Sequence, residues 1–132
     1  MRASIVLWGS LVNRIRVLLA NHPLMVPDTI RQLVAGQEDM ELVGDCRGPM
    51  KILQETGRTK ADAVILAQEG RDEPGICSQL LVAYPDLIIM SVIQDLTAAF
   101  TLQLSSRRKE FADMRPEGAI EQLRVAMRMS CQ

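Results

Sequence analysis

The sequence predicts a single α/β domain built around a doubly wound, five-stranded parallel sheet. Short apolar runs, such as residues 62–67 and 87–92, alternate with amphipathic stretches of helical period, which is the pattern of successive strand–helix units. The 132 residues suffice for one hydrophobic core. Aromatic residues make up only 3% of the chain and hydrophobic residues 48%, so we expect a core of aliphatic side chains and methionine.

The first half of the chain predicts two strand–helix units. Ile15–Ala20 is almost continuously apolar, and Leu24–Ala35 carries an apolar stripe at helical spacing with Gly36 as its stop. Met40–Cys46 alternates apolar and polar residues, as a more exposed strand does. A short helix over Met50–Glu55 completes the second unit.

The second half predicts three more strands and three more helices. Asp62–Ala67 is apolar almost throughout, as a strand covered on both faces should be, and we expect it at the centre of the sheet. A short helix over Ile76–Ala83 and a continuous apolar strand over Leu87–Val92 follow. The remaining elements are a helix capped by Asp95 or Thr97 and reaching about Leu104, a strand near Lys109–Ala112 and a helix over Glu117–Met129.

Charge and cysteine content narrow the classes of partner. The 15 basic and 16 acidic residues leave a formal net charge of -1, so no overall field attracts nucleic acid or an anionic membrane. The three cysteines are far apart and lack the spacing of a metal site or a disulfide framework. We therefore expect a cytoplasmic protein without a cofactor or metal, and with no direct contact to nucleic acid or membrane.

Residues 1–14 are predicted to be an N-terminal extension to a domain spanning 15–130. The extension has one early positive charge, Arg2, and a short apolar run that Gly9 and Ser10 interrupt, with no clear cleavage site. No apolar stretch approaches the length that spans a bilayer.

Five motifs in this order and spacing point to a known superfamily. They are Arg16 to Pro23, Asp39 to Gly44, Asp62 to Leu66, Tyr84 to Leu87 and Pro116 to Ile120. With them the chain resembles the receiver domain of bacterial response regulators, especially the NarL/FixJ type, over about residues 15–129. The resemblance implies a flavodoxin-like fold, with five parallel strands in the order 2-1-3-4-5 and helices on both faces.

The resemblance also implies a pocket for phosphoryl transfer to an aspartate, and this sequence departs from it. Ala67 stands at the position of the nucleophile, Asn21 and His22 stand where an acidic pair binds the metal ion, and Ala112 stands at the position of the lysine. Only Ser91 matches, at the position of the hydroxyl. A methyl group accepts no phosphoryl group, and one amide is a poor ligand set for Mg²⁺. The sequence thus predicts a pseudo-receiver that is no enzyme.

The signalling face is predicted to differ as well. Glu110 replaces the aromatic residue expected two positions before the lysine. The last helix carries more apolar residues than one core stripe needs, so Met127 and Met129 either complete the core or form an interaction face for a signalling protein or a second copy of the chain.

Other interpretations of these residues stay open. Ser91 can be a strand-end serine bonded to backbone, and His22 a histidine in a turn. The acidic loop of residues 69–73 favours a solvated surface over a displaced metal site. A second class of function is a small-molecule module with a crevice lined by Asn21, Ala67, Ser91 and Ala112. A third is an enzyme of the same architecture, for which the sequence shows no nucleophile with a base, metal cluster or glycine-rich phosphate loop. A fourth is the receiver part of a DNA-binding response regulator without its effector domain.

Overall fold

The computed structural model describes residues 14–68, 75–93, 100–104 and 107–111, together with residues 118, 120, 121, 123–125 and 127 of a final helical stretch. The elements in chain order are β1 (Ile15–Asn21), α1 (Asp28–Ala35), β2 (Met40–Arg47), α2 (Pro49–Arg58), β3 (Ala63–Gln68), α3 (Gly75–Ala83), β4 (Ile88–Ile93), β5 (Phe100–Leu104) and β6 (Arg107–Phe111). None of the helices described here is both long and apolar enough to cross a membrane.

The fold is α/β, with four parallel strands in the order β2-β1-β3-β4. This order confirms the predicted arrangement of the first four strands. All six residues of β3 are buried, because its neighbours β1 and β4 and the helices on both faces cover it. A continuous apolar run is what such a central strand requires.

Beyond β4 the sheet departs from the predicted five parallel strands. β5 pairs with β4 and β6 pairs with β5, both in antiparallel fashion, so β6 is one strand removed from β4. The expected helix reaching Leu104 is therefore wrong at Phe100–Leu104. Phe100, Leu102 and Leu104 alternate with Thr101 and Gln103, and this period of two residues is typical of a strand.

The start of α1 also differs from the prediction. The helix begins at Asp28 and has Pro27 as its N-cap, with φ −60° and ψ 145°, whereas the sequence indicated a start at Leu24. Proline biases the preceding residue, Val26, towards extended backbone and has no N–H for a helical hydrogen bond. Leu24 is left free to form a single antiparallel β-bridge with Ala67.

Two apolar layers cover the two faces of the sheet. On the first face, Ile30 and Val34 of α1 pack with Ile120 and Leu123 of the final helical stretch. On the second face, Ile52 of α2 packs with residues of α3; the buried ones are Ile76, Cys77 and Leu80. The core thus consists of aliphatic and sulfur-containing side chains, as the low aromatic content predicts.

An ion pair ties the final helical stretch to the turn before β2. Arg124 Nε donates to Asp39 Oδ2 at 2.6 Å, and Arg124 Nη1 contacts Glu121 Oε1 at 3.0 Å. These carboxylates raise the pKa of Arg124, chiefly through the hydrogen bond to Asp39. The described residues between 118 and 127 are helical, which agrees with the predicted last helix.

Candidate functional site

The carboxyl ends of β1, β3 and β4 form the edge of the sheet at which the sequence predicted a pocket. Ala20 pairs with Leu66, and Ala67 pairs with Val92, so Asn21 and Ala67 occupy the same level at the ends of adjacent strands. Ligands of open α/β sheets bind outside these ends. The side chains at this edge therefore decide what the crevice can do.

Asn21 is held by hydrogen bonds on both ends of its amide. Its Nδ2 donates to Asp45 Oδ1 at 2.6 Å and to the carbonyl oxygen of Cys46 at 3.1 Å, while its Oδ1 accepts from the backbone N–H of Val26 at 2.8 Å. The residue is only 8% exposed. Asn21 thus ties the end of β1 to β2 and to the loop that leads into α1.

A guanidinium group lies beside this amide. Arg31 Nε donates to Asp45 Oδ2 at 2.7 Å, and Arg31 Nη1 contacts Asp28 Oδ1 at 2.5 Å. Arg31 Nη2 also reaches Asn21 Oδ1 at 3.4 Å. The hydrogen bond from Arg31 is the largest cause of a lowered pKa of Asp45, and the same bond raises the pKa of Arg31.

The group of Asn21, Asp28, Arg31 and Asp45, here called the edge network, was not predicted from the sequence. The spacing of Asp28 and Arg31 on one helix indicates an ion pair, but nothing local connects Arg31 with Asp45 on β2. The network does not fit Mg²⁺, because the Asn21 oxygen accepts from Val26 and Arg31 and the Asp45 carboxylate is already paired with a cation. The described residues contain no cluster of three His, Cys, Asp or Glu side chains suited to a metal.

Ala67 lies below the surface of this edge. Its exposed fraction is 0%, and the bridge with Leu24 brings the loop after β1 across the end of β3. The neighbouring Gln68 is 1% exposed. Where the sequence indicated an open crevice, the described residues are closely packed.

Ser91 does not join Asn21 and Ala67. Met90 and Val92 on either side of it belong to the first apolar layer, whereas Ser91 lies opposite Leu66 of the second layer. Its exposed fraction is 0%, and its Oγ has no hydrogen-bond partner in the part of the chain described. Alternation along β4 therefore puts the one matching hydroxyl on the opposite face of the sheet.

The remaining predicted site residues lie apart from the edge network or outside the described residues. His22 is half-buried in the turn after β1 and precedes Pro23. Glu110 lies in β6 opposite Thr101, one strand beyond β5. Ala112 and Met129 lie outside the described residues. The predicted pocket is therefore not assembled from the residues that the structure describes.

A separate cleft lies at the opposite edge of the sheet. It has a volume of about 410 Å³ and is lined by Ala61, Asp62, Ala83, Tyr84, Pro85, Asp86, Leu87 and Met127. Met127 also packs, half-buried, against the first apolar layer. Met127 thus supports the core, and its role in an interaction face stays a prediction. We call these residues the amino-edge cleft, since they lie at the amino ends of β3 and β4.

Comparison with known proteins identifies no family: no protein-family model, curated protein or solved structure matches the chain.

Proposed function

We propose that this chain is a regulatory protein-interaction domain of the pseudo-receiver type. In this proposal it has a flavodoxin-like scaffold related to receiver domains, takes no phosphoryl group at Ala67, and acts by binding a signalling protein in the cytoplasm. The strand order β2-β1-β3-β4, with helices on both faces, supports the scaffold.

The observation that carries the proposal is the closed, neutral end of β3. Phosphoryl transfer needs a nucleophile that reaches solvent and positive charge that faces the incoming phosphoryl oxygens. Ala67 offers a methyl group with no exposed surface beneath the Leu24 bridge. The nearest cation of the edge network, Arg31, is paired with Asp45 and Asp28. Neither requirement is met by the described residues at this edge.

The same packing disfavours the second class of function, a small-molecule module in this crevice. A ligand pocket encloses a volume of roughly 300–1,000 Å³. Here Asn21, Ala67 and Ser91 have exposed fractions of 8%, 0% and 0%, so they present almost no surface to a ligand. The interaction function needs no pocket at this edge, and Met127 of the predicted interaction face lines a cleft at the other edge.

The test is to incubate the full chain with acetyl phosphate and Mg²⁺ and to measure its intact mass under native and acidic conditions. We expect no adduct. An acid-labile phosphoryl adduct in stoichiometric amount would contradict the proposal. A receiver domain with its aspartate intact, treated in the same tube, is the positive control.

The interaction half of the proposal has its own test. The chain and an Asp86→Lys variant serve as matched baits for proteins in a cell lysate. Each captured protein is then purified, and its affinity for the unmodified chain and for the variant is measured. We expect a direct partner whose affinity falls in the variant, because Asp86 lines the amino-edge cleft. A partner that binds both baits equally would place the contact elsewhere, and the absence of any direct partner would contradict the interaction function.

A further inference from the structure

The amino-edge cleft is held in shape by hydrogen bonds on both of its sides. On one side, the Tyr84 hydroxyl donates to the carbonyl oxygen of Leu53 at 2.8 Å, and the backbone N–H of Leu87 donates to the carbonyl oxygen of Tyr84 at 3.0 Å. On the other side, the backbone N–H of Asp62 donates to the carbonyl oxygen of Arg16 at 2.8 Å, and Asp62 Oδ2 accepts from the backbone N–H of Arg16 at 2.9 Å. A partner therefore meets a surface that needs little ordering, which lowers the cost of binding.

The interior of the cleft is largely apolar. Its described lining includes the side chains of Ala61, Ala83, Leu87 and Met127. The volume of about 410 Å³ lies near the lower end of the range of about 300–1,000 Å³ that is typical of ligand pockets. The cleft therefore suits one or two apolar side chains of a binding segment.

Two carboxylates lie at the same cleft. Asp62 directly precedes β3, and Asp86 lies two residues before β4. The backbone N–H of Ile88 donates to the carbonyl oxygen of Asp62 at 3.2 Å, so the segments that carry the two carboxylates run side by side. The described lining residues include no basic side chain. The two formal negative charges are thus not offset within the described lining.

Cations close to the cleft are not paired with these carboxylates. Neither carboxylate of the cleft forms an ion pair within the described part of the chain. The Arg16 guanidinium bonds instead to the carbonyl oxygen of Thr59 at 2.8 Å and to Glu41 Oε1 at 3.2 Å. Lys60, which precedes the cleft residue Ala61, is exposed, and one lysine leaves an excess of negative charge here. An apolar cleft with such an excess attracts a positively charged partner.

We propose that the amino-edge cleft binds a segment of a partner protein in which one large apolar side chain is flanked by lysine or arginine. The apolar side chain packs against Leu87 and Met127, and the flanking cations pair with Asp62 and Asp86. Burial of the apolar side chain supplies most of the affinity, and the carboxylates select against acidic segments. The inference rests on the proposed function, because it names the class of partner that the interaction domain binds.

Three synthetic peptides test the chemistry of this partner. They have capped ends and the same Gly-Ser flanks, and their central sequences are Lys-Leu-Lys, Glu-Leu-Glu and Lys-Ser-Lys. Amide NMR of the labelled full chain follows each titration. We expect saturable shifts of the Asp62, Asp86 and Leu87 amides with Lys-Leu-Lys, and shifts several-fold smaller with the other two peptides. The response to Lys-Leu-Lys should weaken from about 0.01 M to about 1 M salt, because the Debye length falls from about 30 Å to about 3 Å.

A matched pair of variants locates the binding. Asp86→Asn and Asp28→Asn each remove one negative charge from an exposed residue. Asp28 lies at the start of α1 and is not part of the described cleft lining. We expect the affinity for Lys-Leu-Lys to fall several-fold in Asp86→Asn and to stay unchanged in Asp28→Asn. Thermal melts show whether both variants are folded.

Four results would overturn the inference. They are equal shifts with Lys-Leu-Lys and Glu-Leu-Glu, equal shifts with Lys-Leu-Lys and Lys-Ser-Lys, equal affinities in the two variants, and no shift at the cleft with any peptide. A captured partner whose affinity falls in Asp86→Lys would then leave the interaction function standing. The absence of any direct partner would instead contradict that function, whatever the peptides show.

Discussion

Replacement of Asn21 by aspartate tests whether this residue stabilises the fold through its hydrogen bonds or is the remnant of a metal site. Asn21→Asp keeps the size of the side chain but removes both N–H donors. One of them bonds to the Asp45 carboxylate at 2.6 Å and the other to the carbonyl oxygen of Cys46 at 3.1 Å. The new carboxylate then faces that of Asp45 in a position that is 8% exposed in the native chain.

The cost follows from these contacts. A hydrogen bond to a charged group contributes about 1.5–3 kcal/mol and a neutral one about 0.5–1.5 kcal/mol. Arg31 stays close to position 21, with Nη2 at 3.4 Å from Asn21 Oδ1, and offsets part of the loss. We therefore expect the free energy of unfolding at pH 7 to fall by about 2–4 kcal/mol, which shifts the urea midpoint by roughly 1–3 M.

A double variant supplies the control. In Asn21→Asp combined with Asp45→Asn, the amide and the carboxylate exchange places, so one hydrogen bond between them is restored. We expect the double variant to be more stable than the sum of the two single changes predicts, by about 1 kcal/mol or more. Urea unfolding of all four proteins measures this coupling. A single-variant cost below about 0.5 kcal/mol, or strict additivity, would refute the structural role of Asn21.

Three further changes test the packing and the charges. Gly57→Ala places a methyl group 3.1 Å from Tyr84 Cζ, so the free energy of unfolding in urea should fall by about 1–2 kcal/mol. In a Tyr84→Ala background the same change should stabilise the chain; if it still destabilises, the clash is contradicted. Ala67→Asp buries an unpaired carboxylate, so thermal melts should show a loss of about 3–5 kcal/mol in the free energy of unfolding. A smaller loss would mean that the edge is open. The free energy of unfolding should fall as the pH drops below about 4. The pKa of Asp45 is lower in the folded chain than in the unfolded chain, so its carboxylate stabilises the fold only while the pH is high enough to keep it ionised. An acid transition that stays unchanged in Asp45→Asn would argue against this.

The parts of the fold that the sequence predicts are those governed by local pattern. β1, β3 and β4 are apolar runs whose burial follows directly from composition, and the parallel strands have the predicted order 2-1-3-4. Phe100–Leu104 is a strand and not part of the predicted helix, because its own alternation outweighs the capping residue upstream. The period of two residues was the correct signal.

The site was harder to predict because its decisive contacts join distant residues. Neutral side chains at positions 21 and 67 are visible in the sequence, but the sequence does not show that Leu24 forms a bridge with Ala67 at the end of β3. The bond between Arg31 and Asp45 joins a helix to a strand 14 residues further along the chain. Local periodicity contains no information about either contact.

The carboxyl edge of this sheet is proposed to be closed to phosphoryl groups and to metal. An amide NMR titration of the labelled full chain with Mg²⁺ and then acetyl phosphate tests this most directly. We expect the amide resonances of Asn21, Ala67 and Ser91 not to shift, because all three residues are buried and the Asn21 side chain is bonded within the chain. Saturable shifts of these resonances on addition of Mg²⁺ or acetyl phosphate would contradict it.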